Sequence, residues 1–461
     1  MDVVSDTDKA CIIGAGSSGL AAAKVFAERG IPFDCLEREP DIGGLWNQDT
    51  QTGVVYDTTY LVSSRRYTGF DDFPLPEEYP FYPSHREALA YLRAYALHFG
   101  ILDRIELNTR VERAERTEGG WRVQVAGEAR RRFYRVLVIA NGHHDVPRIP
   151  KIPGTFTGEI MHSRDYRSVK QLADKRVVVV GAGNSACDIV VDATSVAQRV
   201  YQSMRRGTYF VPKFVFGRPM DGAVGFFEKI PMPRWLRNIL YSHWHRIMVG
   251  KNVRYGLPEP EHRIMDTHPT MNTVLPQLYA HGRVTAKPDI ASFAGNRVCF
   301  TDGSEVEADL VVFGTGYEVS IPFLDDDLIF GAGGEPLLYL NVFHPEYDDL
   351  FAVGLIQANG SIWRLADYQS QLVASYLVAL AERHERAAWF GKLKTEGHAS
   401  MEQGSYVPSG RHLLESNYFT YRKALLRHLR RFGPMARAHL KSGRLMALPT
   451  RERETVAPKA V

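Results

Sequence analysis

Short apolar runs alternate with glycine-rich turns and amphipathic stretches along the chain, and this alternation predicts an α/β fold. The first apolar run, Ala10–Ile13, leads into the turn Gly14-Ala-Gly16-Ser-Ser-Gly19 and then into a helical stretch at residues 20–29. A second strand, Phe33–Leu36, follows. A strand that passes through a GxGxxG turn into a helix predicts a dinucleotide-binding loop, because the glycines let the backbone approach a pyrophosphate at the helix start.

The same succession occurs a second time. An apolar run at residues 177–180 leads into Gly181-Ala-Gly183-Asn-Ser-Ala186, and a helix and a strand follow. Each copy closes with a buried strand and a glycine turn, at residues 136–142 and 310–316. The sequence therefore predicts two Rossmann-like dinucleotide-binding domains, the second inserted in the first.

The repeat also predicts where the domains begin and end. We expect residues 1–165 and 310–445 to form one discontinuous domain and residues 166–309 to form the other. A lid-like insertion is expected within the second domain at about residues 207–280, and residues 446–461 are expected to form a polar tail.

Other periodic segments fit this architecture. Ser84-His-Arg-Glu87 is a capping box that starts a helix with its apolar positions on one face. A strand pair turns at Asp302-Gly303. The basic run at residues 422–444, with leucines interleaved, predicts an amphipathic terminal helix that packs on the body of the protein.

The two copies differ at the tip of the second strand. The first has Glu37 there, at the spacing expected for a carboxylate that accepts the ribose hydroxyls of FAD or NAD. The second has Arg205 and Arg206 in the matching region, and guanidinium groups there pair with the 2′-phosphate of NADP. Two solvated surface arginines are the alternative interpretation. The pair of sites predicts an enzyme that uses both FAD and NADPH.

Composition limits the partners and the location. The net charge of +3 is too small to argue for nucleic acid. The four cysteines have no CxxC spacing, which disfavours a metal site and a dithiol redox centre and fits a reducing cytoplasm. No leader and no apolar stretch of about 18 residues is present, so we expect a cytoplasmic protein without a transmembrane segment.

Residues 205–254 form a basic and aromatic stretch inside the second copy. They hold ten Lys and Arg residues against only Asp221 and Glu228. Such a stretch binds nucleic acid or a membrane surface in some proteins. We favour a lid and access channel over the flavin, or a subunit contact.

The most specific pattern lies between the two copies. The string Phe156-x-Gly158-x-x-x-His162-x-x-x-Tyr166 resembles the FxGxxxHxxx(Y/F) signature of the flavin-containing monooxygenases, which are class B flavoprotein monooxygenases. The loop at residues 181–186 resembles that family's NADPH loop, and Phe313-Gly-Thr-Gly-Tyr317 resembles its second flavin-side motif. The resemblance covers about residues 10–445. It identifies the chain as a soluble, microbial-type member of the family.

The resemblance implies a mechanism. NADPH reduces FAD, oxidised NADP stays bound, and O2 adds to the flavin to give a C4a-hydroperoxide. A soft nucleophile, such as an amine or a sulfide, then takes the distal oxygen in an N- or S-oxidation. The pocket has to be dry, because water and stray protons release hydrogen peroxide. The family also implies a small-molecule substrate and a homodimer.

The expected site residues follow from the two loops and from the family motifs. No metal ligand is among them. The loop at residues 43–46 suits a flat ligand, although a core tryptophan is the alternative, and residues 367–371 resemble the start of a flavin-side helix. The residues expected to bind FAD are Gly14, Gly16, Ser17, Ser18, Gly19, Glu37, Arg38, Gly44, Leu45, Trp46, Val111 and Gln369. The residues expected to bind NADP are Gly181, Gly183, Asn184, Ser185, Ala186, Arg205 and Arg206.

One loop departs from the family pattern. Family members usually carry an asparagine in the loop that here spans residues 60–67, and none is present. Ser63 and Ser64 fall nearest and keep a donor beside the hydroperoxide and NADP, although loop serines bonded to the backbone are the alternative. His162 is expected to link the two domains and to couple NADPH movement to the flavin, without transferring protons.

Three alternatives stay open. The related Baeyer–Villiger enzymes close the signature with Trp-Pro, whereas Tyr166-Arg167 stands here, so ketone oxidation is the first alternative. An uncoupled NADPH oxidase or reductase is the second. A nucleic-acid or membrane module built on residues 205–254 is the third.

Overall fold

The computed structural model describes residues 8–227, 230, 232–264, 266, 269–397, 414–441, 443 and 445. The predicted tail at residues 446–461 lies outside these described residues, as do residues 1–7. The strands are β1 (Ala10–Ile13), β2 (Phe33–Leu36), β3 (Ile105–Glu106), β4 (Val111–Thr117), β5 (Gly120–Val125), β6 (Arg132–Tyr134), β7 (Val136–Ile139), β8 (Val146–Pro147), β9 (Gly154–Phe156), β10 (Glu159–His162), β11 (Arg176–Val180), β12 (Arg199–Ser203), β13 (Phe210–Val211), β14 (Phe214–Val215), β15 (Arg218–Pro219), β16 (Thr270–Met271), β17 (Thr285–Lys287), β18 (Ile290–Gly295), β19 (Arg297–Phe300), β20 (Glu305–Glu307), β21 (Leu310–Phe313), β22 (Tyr317–Glu318), β23 (Leu350–Ala352), β24 (Gln357–Ala358) and β25 (Glu415–Ser416). The helices are α1 (Ser17–Glu28), α2 (Arg65–Thr68), α3 (His85–His98), α4 (Asn184–Val196), α5 (Met220–Phe227), α6 (Arg234–Met248), α7 (Leu275–Ala280), α8 (Ile362–Ala381), α9 (Glu385–Glu396) and α10 (Tyr418–Phe432).

The first large sheet is parallel and has the strand order β23-β7-β1-β2-β3. Every residue of β1 and β7 is buried, because α1 and other segments cover both faces of the sheet. The long helix α8 packs against α1 and is almost entirely buried. We call this sheet and its covering segments the first unit.

The second large sheet is also parallel and has the order β10-β21-β11-β12-β17. Along the chain, an antiparallel run β4-β5-β6 lies between β3 and β7, and an antiparallel run β18-β19-β20 lies between β17 and β21. The second unit, built on this sheet, therefore repeats the strand order of the first. The mixed α/β fold predicted from the sequence is confirmed.

Strands β10 and β21 lie in a different sheet from the one that the predicted domain boundaries imply. His162 of β10 pairs with Phe313 of β21, and β21 pairs with β11. The boundaries at residues 165 and 310 had assigned both strands to the first domain, and the observed pairing puts both in the second sheet. The reason is that β10 is the edge strand of the second sheet, in the position that β23 has in the first sheet. The second sheet thus takes its edge strand from the part of the chain that precedes the glycine loop at Gly181.

The chain crosses between the two units twice, and the two crossings are paired. β8, before the second unit, is antiparallel to β22, which follows it, with Val146 opposite Glu318. The Arg148 backbone N donates to the Gly316 carbonyl oxygen at 3.0 Å. The two connections thus form one hydrogen-bonded ribbon.

Several local predictions are confirmed, and one helix is shorter than predicted. The Ser84 side chain caps α3 in a complete capping box with Glu87, and β19 and β20 form the strand pair that turns at residues 302–303. The predicted helix at residues 422–444 is observed as α10, which starts after the cap Asn417 and ends at Phe432. It ends there because Gly433 has φ +54°, and Pro434 follows. Within the described ranges, no helix has the length and apolar character needed to cross a membrane.

Candidate active site

A continuous cavity of about 1370 Å³ opens at the carboxyl ends of the strands of the first sheet. Residues that follow β1, β2, β7 and β23 line it, together with the first turn of α4 and part of the insertion at residues 207–280. The predicted site residues in its wall are Gly14, Gly16, Ser17, Ser18, Glu37, Arg38, Gly44, Leu45, Trp46, Ser63, Val111, Asn184 and Ser185. The predicted site residues that are not in its wall are Gly19, Ser64, His162, Gly181, Gly183, Ala186, Arg205, Arg206 and Gln369.

The first glycine loop forms a bare backbone cradle at the start of α1. Gly14 has φ +104°, and a Cβ there would lie 2.7 Å from the Ala140 carbonyl oxygen. A Cβ on Gly19 would lie 1.8 Å from the Gly14 carbonyl oxygen, so the helix approaches the strand this closely only at glycine. Across the loop, a Cβ on Gly16 would lie 3.6 Å from the Cα of Gly44. The first N–H groups of the helix, which have no helical partner, are therefore left accessible to a pyrophosphate.

Glu37 stands at the tip of β2 with its carboxylate in the cavity wall. It is 5% exposed, and it accepts hydrogen bonds from the backbone N of Ala15 at 2.6 Å and of Glu39 at 3.0 Å. Burial raises the pKa of Glu37, and the two backbone donors oppose that rise. A carboxylate has about four acceptor positions, so this geometry fits ribose hydroxyls as further donors.

Arg38 supports the cavity wall through an ion pair. Its Nη2 lies 2.9 Å from Asp145 Oδ2, and the Nη2 of Arg164 lies 2.9 Å from Asp145 Oδ1. Burial favours a higher pKa for Asp145, but the hydrogen bonds from the two guanidinium groups hold it below its ordinary value. Arg38 therefore connects the tip of β2 to the loop after β7.

Trp46 is both packed and exposed to the cavity. Its ring meets that of Trp363 edge-on, with the centroids 5.8 Å apart. Trp363 lies in the first turn of α8, and Ser361, Ile362 and Trp363 are all in the cavity wall. The amino end of α8 therefore faces the cavity next to Trp46.

Gln369 does not reach the cavity. It has no exposed surface, and its Oε1 accepts from the Gly354 backbone N at 2.8 Å while its Nε2 donates to Tyr421 Oη at 2.7 Å. The expectation that it approaches the flavin is therefore wrong. Gln369 instead holds the backbone of Gly354, which is a residue of the cavity wall. Gly354 packs closely on Ser18, since a Cβ on Gly354 would lie 2.1 Å from Ser18 Oγ.

The second glycine loop repeats the construction of the first. Gly181 has φ +124°, and a Cβ there would lie 2.4 Å from the Gly314 carbonyl oxygen. Ala186 is fully buried beneath Gly314, and Asn184 and Ser185 face the cavity. The amino end of α4 is thus open to a ligand, as that of α1 is.

Arg205 and Arg206 follow β12 at its carboxyl end. Both are exposed and lie outside the cavity wall. Their position at the edge of the second sheet leaves both the phosphate-binding and the solvated-surface interpretations open.

The signature string lies in the second unit, and its histidine contacts the connection that follows β21. Phe156 packs on Phe293 with ring centroids 5.2 Å apart. His162 is 1% exposed; its Nδ1 accepts from the Arg164 backbone N at 3.1 Å, so Nε2 carries the proton and donates to the Gly316 carbonyl oxygen at 3.0 Å. Burial lowers the pKa of His162. A neutral and fully bonded imidazole outside the cavity fits a linking role rather than proton transfer.

Ser63 and Ser64 differ in their surroundings. The Ser63 hydroxyl lies in the cavity wall, 2.8 Å from Thr68 Oγ1. Ser64 is 2% exposed, and it donates to the Asp221 carboxylate from its backbone N at 2.6 Å and from Oγ at 3.0 Å. Of the two predicted serines, only Ser63 is available to a ligand in the cavity.

The insertion forms one wall of the cavity. Helix α6 turns Arg237, Tyr241, Trp244, His245 and Met248 toward it. Other large apolar residues of the same helix are exposed, with Trp235 at 59%, Ile239 at 57% and Ile247 at 70%. The helix therefore has an inner face on the cavity and an outer apolar face.

Sequence reasoning missed several residues of the wall. His143 and His144 follow β7, and burial lowers the pKa of His144 to about 3. The sequence shows Asp221 as one of only two acidic residues in the basic stretch at residues 205–254, but its partner Ser64 lies far away in the sequence. Asp188 is one helical turn beyond Ser185, so the spacing of helix positions would have found it.

Comparisons of the sequence with known proteins agree on one family. The model of the family described as "FMO-like: Flavin-binding monooxygenase-like" matches residues 7–445. Flavin-containing monooxygenase 5 of Oryctolagus cuniculus is 32% identical over 441 residues, which cover 89% of this chain and 80% of that protein. Flavin-containing monooxygenase 3 of Rattus norvegicus is 32% identical over 391 residues, which cover 80% of this chain and 73% of that protein.

Solved structures share the fold at lower identity. An S-allyl-L-cysteine S-oxygenase from Allium sativum aligns with a TM-score of 0.62 at 22% identity, covering 92% of this chain and 88% of that one. The open structure of a cyclohexanone monooxygenase aligns with a TM-score of 0.63 at 20% identity, covering 83% of this chain and 89% of that one. Both similarities concern the fold alone.

Proposed function

The chain belongs to the flavin-binding monooxygenase-like family, whose members use FAD and NADPH, and we propose that its substrates are soft nucleophiles such as amines and sulfides. It is an oxidoreductase, a flavoprotein monooxygenase that uses O2. Bound FAD supplies the redox centre at which NADPH is oxidised and O2 is activated. The substrate class and the roles of individual residues are the parts that we propose.

The observation that carries the proposal is the shared cavity. Its wall includes the first glycine loop, the start of α4 beside the second loop, and the inner face of the insertion. Two nucleotide cofactors and a small substrate can meet only in a space that all three segments border. Its volume of about 1370 Å³ exceeds that of an ordinary pocket for one small ligand, about 300–1,000 Å³.

The residues present fit both cofactors. The cradle at Gly14 and Gly19 has no room for a Cβ, and the buried Glu37 carboxylate suits the ribose of FAD. The corresponding cradle at Gly181 suits NADPH, with Arg205 and Arg206 assigned to its 2′-phosphate. We therefore assign FAD to a Rossmann-like first unit and NADPH to a Rossmann-like second unit inserted in it, running from Gly154 to Phe313.

The insertion then acts as a lid. Asp221 holds the loop of Ser64 from the insertion side, and the aromatic inner face of α6 closes the cavity with apolar surface. Exclusion of water by these residues protects an oxygenating species from breakdown. The Ser63 hydroxyl, which lies in the cavity wall beside Thr68 Oγ1, is the serine side chain that we assign to the neighbourhood of the reacting atoms.

The test is product analysis with purified yellow protein. Given NADPH and O2, it should convert a tertiary amine to its N-oxide or a thioether to its sulfoxide, in step with NADPH consumption. A ketone in a parallel reaction tests Baeyer–Villiger oxidation through ester formation, which the closing Tyr166 disfavours. Hydrogen peroxide as the only product with every nucleophile would favour the uncoupled oxidase instead.

Two further assignments are part of the proposal. We propose a homodimer, to be measured by light scattering in solution. We also propose a cytoplasmic location, which is supported by the observation that, among the described residues, no disulfide bond joins Cys11, Cys35, Cys187 or Cys299.

A further inference from the structure

Asp188 is an acidic residue of the cavity wall that the sequence did not single out. It lies on α4 one turn beyond Asn184 and Ser185, and the three side chains share the face of the helix that borders the cavity. The amino end of α4 suits a pyrophosphate. A carboxylate one turn farther along repels phosphate, so it faces a different part of a dinucleotide held there.

The Asp188 carboxylate has few partners in the protein. Tyr56 Oη donates to Oδ2 at 3.1 Å, and Asn272 Nδ2 donates to Oδ1 at 3.3 Å; both distances are long for hydrogen bonds to a charged acceptor. Lys213 acts on its charge electrostatically and not through a hydrogen bond. Of about four acceptor positions, some therefore remain for donors in the cavity.

Asp192, one turn farther along α4, provides the contrast. Its Oδ2 accepts from Thr58 Oγ1 at 2.5 Å and from Tyr166 Oη at 2.8 Å, and it is not in the cavity wall. Thr58 lies in the loop at residues 57–60 of the first unit, whereas Tyr166 lies between β10 and β11 of the second sheet. Asp192 therefore fastens the two units together, whereas Asp188 faces the space between them.

We propose that Asp188 binds the hydroxyl groups of the ribose that carries the nicotinamide. Like the Glu37 carboxylate in the first site, it accepts from ribose hydroxyls, but it does so from helix α4 and not from the tip of a strand. A ribose diol supplies the two O–H donors that such a carboxylate lacks. The inference rests on the proposed function, in which the second loop binds NADPH. Burial raises the pKa of Asp188 to about 6, so the group is ionised at neutral pH and accepts strong hydrogen bonds.

The test compares two ligands that differ in this ribose. Binding of NADP and of adenosine 2′,5′-bisphosphate, which lacks the nicotinamide ribose, is measured by calorimetry on the FAD-loaded enzyme. Asp188→Asn should raise the Kd for NADP by about 10- to 100-fold, the range for hydrogen bonds to a charged group, and leave the Kd for the bisphosphate within about twofold of wild type. An unchanged Kd for NADP overturns the proposal.

Asp192→Asn is the matched control, because it makes the same change one turn away on the same helix. It should weaken both ligands alike or neither. If it reproduces the selective loss of NADP affinity, Asp188 acts only through the joint between the units, and the proposal is overturned. If Asp188→Asn weakens the binding of both ligands equally, the proposal is overturned for the same reason.

A third ligand separates the ribose from the nicotinamide amide. The NADP analogue in which an acetyl group replaces the carboxamide keeps the ribose, so Asp188→Asn should weaken it as much as it weakens NADP. A loss confined to NADP itself would mean that the carboxylate binds the amide, which overturns the ribose assignment.

If the wild-type enzyme binds neither NADP nor the bisphosphate, the proposed function of the second loop fails on the wild type, before any variant is made, and this inference falls with it.

Discussion

The Asp221 carboxylate accepts two hydrogen bonds from Ser64, from its backbone N at 2.6 Å and from its Oγ at 3.0 Å. Asp221 belongs to the insertion and Ser64 to the loop that lines the cavity of the first unit. Burial raises the pKa of Asp221, and the bonds from Ser64 oppose that rise. This pair is a direct polar connection between the predicted lid and the wall that it covers.

Asp221→Ala should make the enzyme leak hydrogen peroxide. Loss of the carboxylate leaves two donors of Ser64 without acceptors, at about 1–3 kcal/mol each, and lets the insertion separate from the loop and admit water. The measurement is hydrogen peroxide released per NADPH consumed in the presence of an amine or sulfide. Ser64→Ala removes only the Oγ bond and should give a smaller rise. Tight coupling in the Asp221 variant would contradict the lid assignment.

Replacement of Arg205 and Arg206 by Ala should raise the KM for NADPH about tenfold or more, because each guanidinium contributes charged hydrogen bonds to the 2′-phosphate. The KM for NADH, which lacks that phosphate, should change little. Arg199→Ala is the control, since Arg199 is an exposed arginine at the opposite end of β12. Equal effects on both nucleotides would mean that the 2′-phosphate binds elsewhere.

His162→Ala should lower stability without changing the pH dependence of kcat. The buried imidazole donates to the Gly316 carbonyl oxygen and accepts from the Arg164 backbone N. Its removal leaves the Arg164 N–H without this acceptor and opens a void, at about 2–4 kcal/mol in total, while Gly316 keeps the bond from Arg148. Burial lowers its pKa, so it stays neutral across the working range and titrates in no step. Thermal unfolding and a kcat profile from about pH 6 to pH 9 test both statements. A shifted profile would give His162 a part in proton transfer.

Asp188→Asn should stabilise the FAD-loaded enzyme at alkaline pH. Burial raises the pKa of Asp188 to about 6, above the value of about 3.9 in an unfolded chain, so the ionised form costs stability in the folded state. That cost is present in full above about pH 6 and disappears as the pH falls toward the unfolded value. The variant should therefore gain roughly 1–3 kcal/mol at about pH 8 and little at about pH 4, as measured by thermal unfolding. A gain that does not depend on pH would contradict the assignment.

Local features of the fold were readable from the sequence, and long-range pairing was not. The turns at Gly14 and Gly181 follow from short strands and glycine spacing, and the repeated succession of strand, glycine loop and helix follows from them. The membership of β10 in the second sheet depends on the pairing of Met161 with Val312, which no local pattern encodes. The domain boundaries were misplaced for that reason.

The same division holds for the cavity. Glu37 was predictable because its distance from Gly14 is set by one helix and one strand. The bond between Ser64 and Asp221 joins positions 157 residues apart, and it depends on how the insertion folds back over the cavity. Gln369 was misassigned because α8 does begin at the cavity wall, but Gln369 lies two turns in, on the face that supports Gly354.

The paired ribbon of β8 and β22 limits how the two halves of the enzyme can move. Any translation of one sheet past the other would break the hydrogen bonds between the two connections, such as that from Arg148 to Gly316. Rotation about the ribbon leaves them intact. The ribbon therefore favours rotation over translation as a motion between the two units, and the Gly316 carbonyl oxygen, which accepts from both Arg148 and His162, holds the ribbon to β10.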